Sequence, residues 1–300
     1  MKRIIMTTII VVLIPFFVIK TFTKIDNINM KYISTKIIKV KNETTGEIKE
    51  IPFEKYIEGV VSGEMPASYE LEALKAQAVA ARSYALYHMN GKEYDVTNTT
   101  STQVYIEEKD LKDKWKENYK KNINKIKKAI AETSGEYLTY KGEIIDAMFF
   151  AVSTGKTENS EEVFISKLPY LRSVSSTWDE KSPAFTDTVT MTLNDFYKNL
   201  NLPYNDKLNI EIIEKTSTGR IRKLKINEQE INGRDFQKKL KLRSNYFEII
   251  KKDNNIIINT KGYGHGVGMS QFGANEMAKE GSDYKKILKH YYEGTEISKK

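Results

Sequence analysis

The chain opens with a polarity pattern unlike anything that follows it. Lys2 and Arg3 precede Ile4–Ile19, sixteen residues without a charge, and Lys20 closes the run. A spanning helix needs about 17–25 apolar residues, so the run reaches that length if Lys20 snorkels to the interface. The expectation is a membrane anchor over residues 1–25 and a polar stalk over 26–35. A cleaved signal peptide is the competing reading, but no small-x-small site follows Phe17. Lys20, Lys24, Lys31, Lys36, Lys39 and Lys41 outnumber the charges before the run, so the positive-inside count does not favour an outward C-terminal region. Orientation therefore has to be argued from the substrate.

After the stalk the pattern alternates in KIIKVKNETTGEIKEIP, which predicts a hairpin turning at Thr45-Gly46. The period then changes to a helical one. Pro52 suits a helix start, and Ile57, Val60 and Val61 mark an inward face up to about Ser62. A second helix opens after Pro66, with Leu71, Leu74, Ala78, Ala81 and Ala85 on one face; its alanine content predicts tight packing. A third is predicted over Asp110–Thr133, then strands over Tyr137–Tyr140 and Ile144–Val152. Beyond Pro183 come strand (Thr186–Thr192), helix (Leu193–Leu200), strand (Leu208–Lys215), strand (Ile221–Ile226), helix (Gly233–Leu240) and strand (Tyr246–Lys251). Asn255–Thr260 is β-like and leads into a glycine-rich turn and a final helix. The fold class expected is α+β: a two-lobed mixed α/β region with a groove between lobes. Residues 36–182 with 253–300 would form the main domain, and 183–252 a smaller one.

Composition narrows the chemistry. An apolar fraction of 40%, with 18 Tyr and 12 Phe, is ample for a packed core. There is no cysteine, which removes disulfides, thiolate nucleophiles and cysteine-based zinc sites. His88, His265 and His290 alone do not make a metal centre, and no metal or cofactor is expected. The net charge of +8 suits anionic surroundings, lipid headgroups or wall polymers among them. No nucleic-acid-binding motif appears, and nucleic acid is not an expected partner.

Three segments carry candidate chemistry. In EKYIEGVVSGEMP, Glu64 continues the inward face of Ile57, Val60 and Val61, and Pro66 stops the helix beside it. Desolvation and the negative end of the helix dipole both raise the pKa of such a carboxyl, which suits a general acid. The structural alternative pairs Glu64 with Arg82 or Lys75. In GYGHGVGMSQFGANEMAKEG, five glycines in twelve residues (262–273) allow close backbone approach to a ligand, with His265 between them; the alternative is a packing histidine. The spacing is not that of a dinucleotide fingerprint, and Ser270 is not in a nucleophile elbow. In DAMFFAVSTGKTENSEEVF, an apolar strand empties into a loop of hydroxyls, amides and carboxylates. With Tyr170 and Trp178 near in sequence, such a loop suits a sugar; the alternative is a solvated loop.

EGVVSGEMPASYELEALKAQAVAARSYAL (58–86), FFAVSTGKTENSEEVF with PYL (149–171) and GYGHGVGMSQFGANEMA (262–278) together resemble the SpoIID/LytB family. The resemblance implies a membrane-anchored lytic transglycosylase that acts on peptidoglycan glycan strands during engulfment. It also implies a partner amidase that strips the peptides first, and a membrane scaffold protein. By the family's motif Glu64 is the catalytic acid/base. Tyr263, His265, Ser270 and Gln271 would line the groove, with Ser153, Thr154, Thr157 and Glu158 from the polar loop; Arg82 and Tyr170 complete the candidate binding set. The loop reads STGKTE where many relatives have two adjacent glycines. The Cys/His metal cluster of some clostridial relatives cannot be carried over. A glycoside hydrolase of the usual kind needs two carboxylates, whereas a lytic transglycosylase needs one acid that then serves as base. The alternatives are a non-enzymatic amidase enhancer or wall-binding subunit, and a hydrolase with Glu158 as second carboxylate.

Overall fold

The computed structural model describes residues 36–89 and 91–299. The expected anchor and stalk lie outside the described residues. Among the described residues, no helix is long and apolar enough to cross a membrane.

Strands β1 (Ile37–Lys41) and β2 (Ile48–Pro52) form the expected antiparallel hairpin, with Ile38 opposite Ile51. Pro52, at φ −54°, leads into α1 (Phe53–Glu64), which buries Phe53, Tyr56, Ile57, Val60 and Val61. Helix α1 ends where Pro66 holds Met65 in extended backbone, φ −118° and ψ 141°. In α2 (Leu71–His88), Ala73, Ala76, Ala78, Ala80 and Ala81 are all fully enclosed. Methyl side chains let neighbours approach on several sides, so α2 is a central helix rather than an amphipathic surface one. A third strand, β3 (Val96–Thr97), runs parallel to β1. Two residues are too few to leave a periodic signal.

The helix expected over 110–133 is two helices. Between α3 (Glu108–Trp115) and α4 (Tyr119–Glu132), a 3-10 turn begins at Lys116, φ +47°. An unbroken helix would set Leu111 and Ile123 about a third of a turn apart. With the break, both are buried, together with Ile126 and Ile130.

Next come β4 (Glu136–Tyr140), β5 (Glu143–Ile144) and β6 (Phe149–Phe150). The strand expected over 144–152 is therefore not continuous. Met148 N–H turns back to the Asp146 carbonyl (2.9 Å), and the Met148 carbonyl accepts from Met269 N–H and the Tyr292 hydroxyl. The segment serves partners on different elements and cannot stay in one ladder. Val152 is next paired in an isolated bridge to Tyr263.

After the short α5 (Ser160–Val163), the pattern read beyond Pro183 is observed closely. It gives β7 (Thr186–Thr192), α6 (Leu193–Leu200), β8 (Ile210–Lys215), β9 (Ile221–Ile226), then a strand that was not expected, β10 (Gln229–Asn232), and α7 (Gly233–Lys239), β11 (Phe247–Lys252) and β12 (Asn255–Lys261). Thr192 caps α6 by accepting Asp195 N–H, and Asn232 caps α7 by accepting Arg234 N–H. The sheets are β10-β9-β8 and β11-β12-β7. Their shared core holds Phe196, Leu224, Phe236, Phe247, Ile256 and Ile258. The last two belong to β12, the middle strand of its sheet.

The chain ends through β13 (Met269–Ser270), parallel to β6, and two helices, α8 (Gln271–Lys279) and α9 (Tyr284–Tyr291), where one was expected. Strand β14 (Glu296–Lys299) then pairs antiparallel with β4. The class is α+β, with several small sheets, of which β14-β4-β5 packs on α2 and β10-β9-β8 and β11-β12-β7 share a core of their own.

Candidate active site

Glu64 is the last residue of α1, half-buried, with its carboxylate held by two donors from far along the chain. Val104 N–H donates to Oε1 (2.6 Å), and the Gln271 side-chain amide donates to Oε2 (3.4 Å) while lying 3.5 Å from Gln77 Oε1. Val104 reaches Glu64 because its loop lies directly on α1. A Cβ on Gly59 would stand 2.3 Å from the Tyr105 ring, and one on Gly63 would stand 2.4 Å from the Val104 carbonyl. Burial pushes the Glu64 carboxyl above its ordinary value, and the two hydrogen bonds offset only part of that.

The cations that could have neutralised Glu64 are committed elsewhere. Arg82, 1% exposed, forms a two-pronged pair with Glu54 (Nε–Oε1 2.8 Å, Nη2–Oε2 2.9 Å) and donates to the Glu136 carbonyl. Lys75 pairs with Glu72 and Glu132. Arg82, taken from sequence as a binding residue, is thus a buried structural cation between α1, α2 and β4.

The polar loop and the glycine-rich segment lie against each other. Val152 bridges Tyr263, and Glu158 bridges Val267. Most of the candidate side chains point inward. Ser153 and Ser270 are fully buried and donate to Asp179 (both 2.7 Å). Thr157 donates to the Arg172 carbonyl and accepts Val174 N–H. Tyr170, 7% exposed, accepts Asp146 N–H. Thr154 is half-buried, against the point where a Gly262 Cβ would lie. Glu158 is fully enclosed beside Arg220 (3.3 Å) and accepts from the Thr218 hydroxyl. Burial pushes its carboxyl up, and the guanidinium pulls it back. Arg220 in turn donates to the Gly264 carbonyl (2.8 Å) and Asn245 (3.1 Å), so the pair ties the loop to the glycine-rich segment.

His265 is half-buried, its ring 5.6 Å from both Phe150 and Phe164. Nδ1 accepts Val267 N–H (3.1 Å), and the ring also hydrogen-bonds the Phe149 backbone. Burial, with Arg220 and Arg234 near, pushes its pKa down to about 4, so the imidazole is neutral at neutral pH. Tyr263 is 48% exposed, with the Arg243 guanidinium 5.7 Å from its ring.

Tyr263 and His265 line an open cleft of about 860 Å³ that also takes in Thr100, from the loop that carries Val104. Arg234, Lys238, Lys241 and Arg243 line it too, against one acid, Asp235. Sequence reasoning missed these cations because they lie in and after a helix with its own small core. It missed Asp179 and Arg220 because isolated charges inside polar stretches carry no periodicity. Val104 contributes through its backbone, which no side-chain pattern can announce.

Fold and site define an α+β protein with a partly exposed carboxylate at a helix end, unpaired with any cation among the described residues and held by the helix that follows a glycine-rich segment, and with a basic cleft lined by that same segment. The profile of the SpoIID family, described as stage II sporulation protein, matches residues 41–140, a span that includes Glu64. The stage II sporulation protein D of Bacillus amyloliquefaciens and that of Bacillus subtilis (strain 168) are each 40% identical over 274 residues, covering 89% of this chain and 79% of theirs. The chain belongs to this sporulation family. The amidase enhancer of Bacillus subtilis (strain 168) is 30% identical over 297 residues, covering 81% of this chain and 40% of its own.

Proposed function

We propose that this protein is a lytic transglycosylase that cleaves the MurNAc–GlcNAc bond of peptidoglycan during sporulation, with Glu64 as the general acid/base. The observation that carries this reading is the contrast between two carboxylates. Glu64 is desolvated, has no counter-ion among the described residues and is still partly open to solvent, so it can hold a proton and deliver it. Glu158 is sealed against Arg220 and is poorly suited to act as the second carboxylate of a hydrolase.

One acid/base suffices for the proposed reaction. Protonated Glu64 donates to the glycosidic oxygen as the C1–O bond breaks. The carboxylate left behind then takes the proton of the muramic C6 hydroxyl, whose oxygen bonds to C1 and closes the anhydro ring. The nucleophile belongs to the same sugar, so its effective concentration is high and no water has to be activated.

The cationic cleft suits an anionic glycan strand, and the strands it takes are proposed to be stripped of peptide first. The reading puts the chain at the cell membrane, single-pass, with its catalytic region outside the cytoplasm in a groove between two lobes. A wall amidase and a membrane scaffold protein are its proposed partners. A second reading, a non-enzymatic amidase enhancer, is favoured by the relative that bears that name.

Mass spectrometry of glycan digested by the full chain decides between them. Anhydro-muramic ends are expected; reducing ends would indicate a hydrolase, and intact glycan an enhancer. Glu64→Gln keeps the shape but cannot transfer a proton, so cleavage should fall by about 10²–10⁴-fold while glycan binding persists. Cleavage by that variant at the wild-type rate would remove Glu64 from the mechanism.

A further inference from the structure

Asp179 lies in a 3-10 turn (Thr177–Lys181) and is fully buried. Its partners among the described residues are three serine hydroxyls and the Ser153 backbone N–H rather than a cation. Oδ2 accepts from Ser153 (2.7 Å) and Ser176 (2.6 Å), and Oδ1 accepts from Ser270 (2.7 Å). A buried carboxylate is costly unless donors replace its water, and short charge-assisted bonds do so. Each hydroxyl comes from a different place: Ser153 from the polar loop, Ser176 from the residue before the turn, Ser270 from the N-cap of α8.

Ser270 joins this knot to the candidate active site. Its hydroxyl oxygen also accepts Gly273 N–H (3.2 Å), capping α8. The first turn of α8 sits so close to the knot that a Cβ on Gly273 would lie 2.2 Å from the Tyr291 hydroxyl and 2.6 Å from Ser176 Oγ. Gln271, the residue after Ser270, is one of the two donors to Glu64.

We propose that Asp179 is a positioning residue for Glu64: by holding Ser270 it sets the first turn of α8, and with it the amide of Gln271 against the Glu64 carboxylate. Asp179 itself does not touch the Glu64 carboxylate. The hydroxyls of Ser153 and Ser270, taken from sequence as sugar contacts, serve this knot instead. The titratable groups around Glu64 are Tyr56 from α1 and Tyr84 from α2; those around Asp179 are Tyr69 and Tyr291. Burial pushes all four tyrosines above their ordinary range, so none changes charge in the weakly acidic window; burial also pushes the Asp179 carboxyl up, against the pull of its serine donors, and Ser270→Ala leaves that carboxyl in place.

The importance of Glu64 rests on the proposed function, so the test reads Glu64 directly rather than through turnover. The carboxyl carbon of Glu64 is titrated by ¹³C NMR in the full chain, with Glu64→Gln to assign the signal. A hydrogen bond to the ionised form lowers a carboxyl pKa, so displacing Gln271 should raise the Glu64 midpoint by about half a pH unit. That rise is expected in Asp179→Asn and in Ser270→Ala, while Ser270→Thr, which keeps the hydroxyl, should stay with wild type. Loss of the Asp179 charge acting through space would move the midpoint down, and Ser270→Ala changes no charge. An unmoved or lowered midpoint in both variants overturns the proposal, even if both melt earlier. If Asp179→Asn does not fold, Ser270→Ala decides alone. A raised midpoint in a protein that cleaves no glycan would leave the positioning role standing and end the transglycosylase reading.

Discussion

A carboxylate inside a protein has to find a cation, a set of donors or a proton, and this chain uses all three routes. Glu54 takes Arg82 and Glu158 takes Arg220, two charges sealed by guanidinium groups. Asp179 takes three hydroxyls. Glu64 takes two amide donors, one of them long, and is left with the raised proton affinity that an acid catalyst requires. His265 shows the same logic with the sign reversed. Its folded pKa, about 4, lies below the ordinary imidazole value, so the native state prefers the neutral ring. Its contribution to stability is therefore complete above about pH 6.5 and is lost as pH falls toward 4. His265→Ala removes the acceptor for Val267 N–H and the ring between two phenylalanines, a cost of roughly 2 kcal/mol or about 5 °C in melting temperature at pH 7. Thermal melts of the two proteins should differ most at neutral pH and converge toward pH 4. A constant gap across that range would show that the ring titrates normally.

At the scale of elements, α1 is a platform for a loop as much as a core helix. Gly59 and Gly63 stand one helical turn apart on the face that carries residues 104–106, and Ile106 N–H donates to the Gly59 carbonyl (3.4 Å). Helix propensity alone says that alanine at position 63 should stabilise α1 by about 1 kcal/mol. The fold argues the opposite, since the added methyl would meet backbone at 2.4 Å. Relief requires the loop to lift, and Val104 N–H then leaves Glu64. Gly63→Ala should therefore destabilise by roughly 1–3 kcal/mol in urea denaturation, as overpacking does. A more stable variant would mean that the loop yields freely and does not hold the carboxylate. Helix α8 meets Glu64 from the other side in a comparable way, seated by a glycine and an N-cap rather than by bulk.

For the molecule as a whole, the uncharged Ile4–Ile19 run and the proposed wall substrate together predict a topology that can be tested. Protease added to protoplasts should digest the region beyond about residue 25, given an anchor that spans the bilayer once. Protection in intact protoplasts, lost on lysis, would reverse the orientation. Much of the architecture was legible along the chain, and the reason is local. The hairpin alternates, α1 keeps a helical period, α2 shows its central place in its alanine content, Pro52 and Pro66 punctuate them, and β7, α6 and β9 begin and end where patterns change. Glu64 was legible for the same reason, since helical period and a following proline place it on an inward face at a helix end. What the sequence could not reveal depends on residues far apart in it. The break between α3 and α4 and the interrupted strand at 144–152 answer to partners elsewhere, as do Val104 and Gln271, 40 and 207 positions from Glu64. Tertiary structure alone decided which polar side chains face a ligand and which face each other. A serine or a glutamate reads the same in either role, and only packing determines whether water, sugar or an arginine stands opposite it.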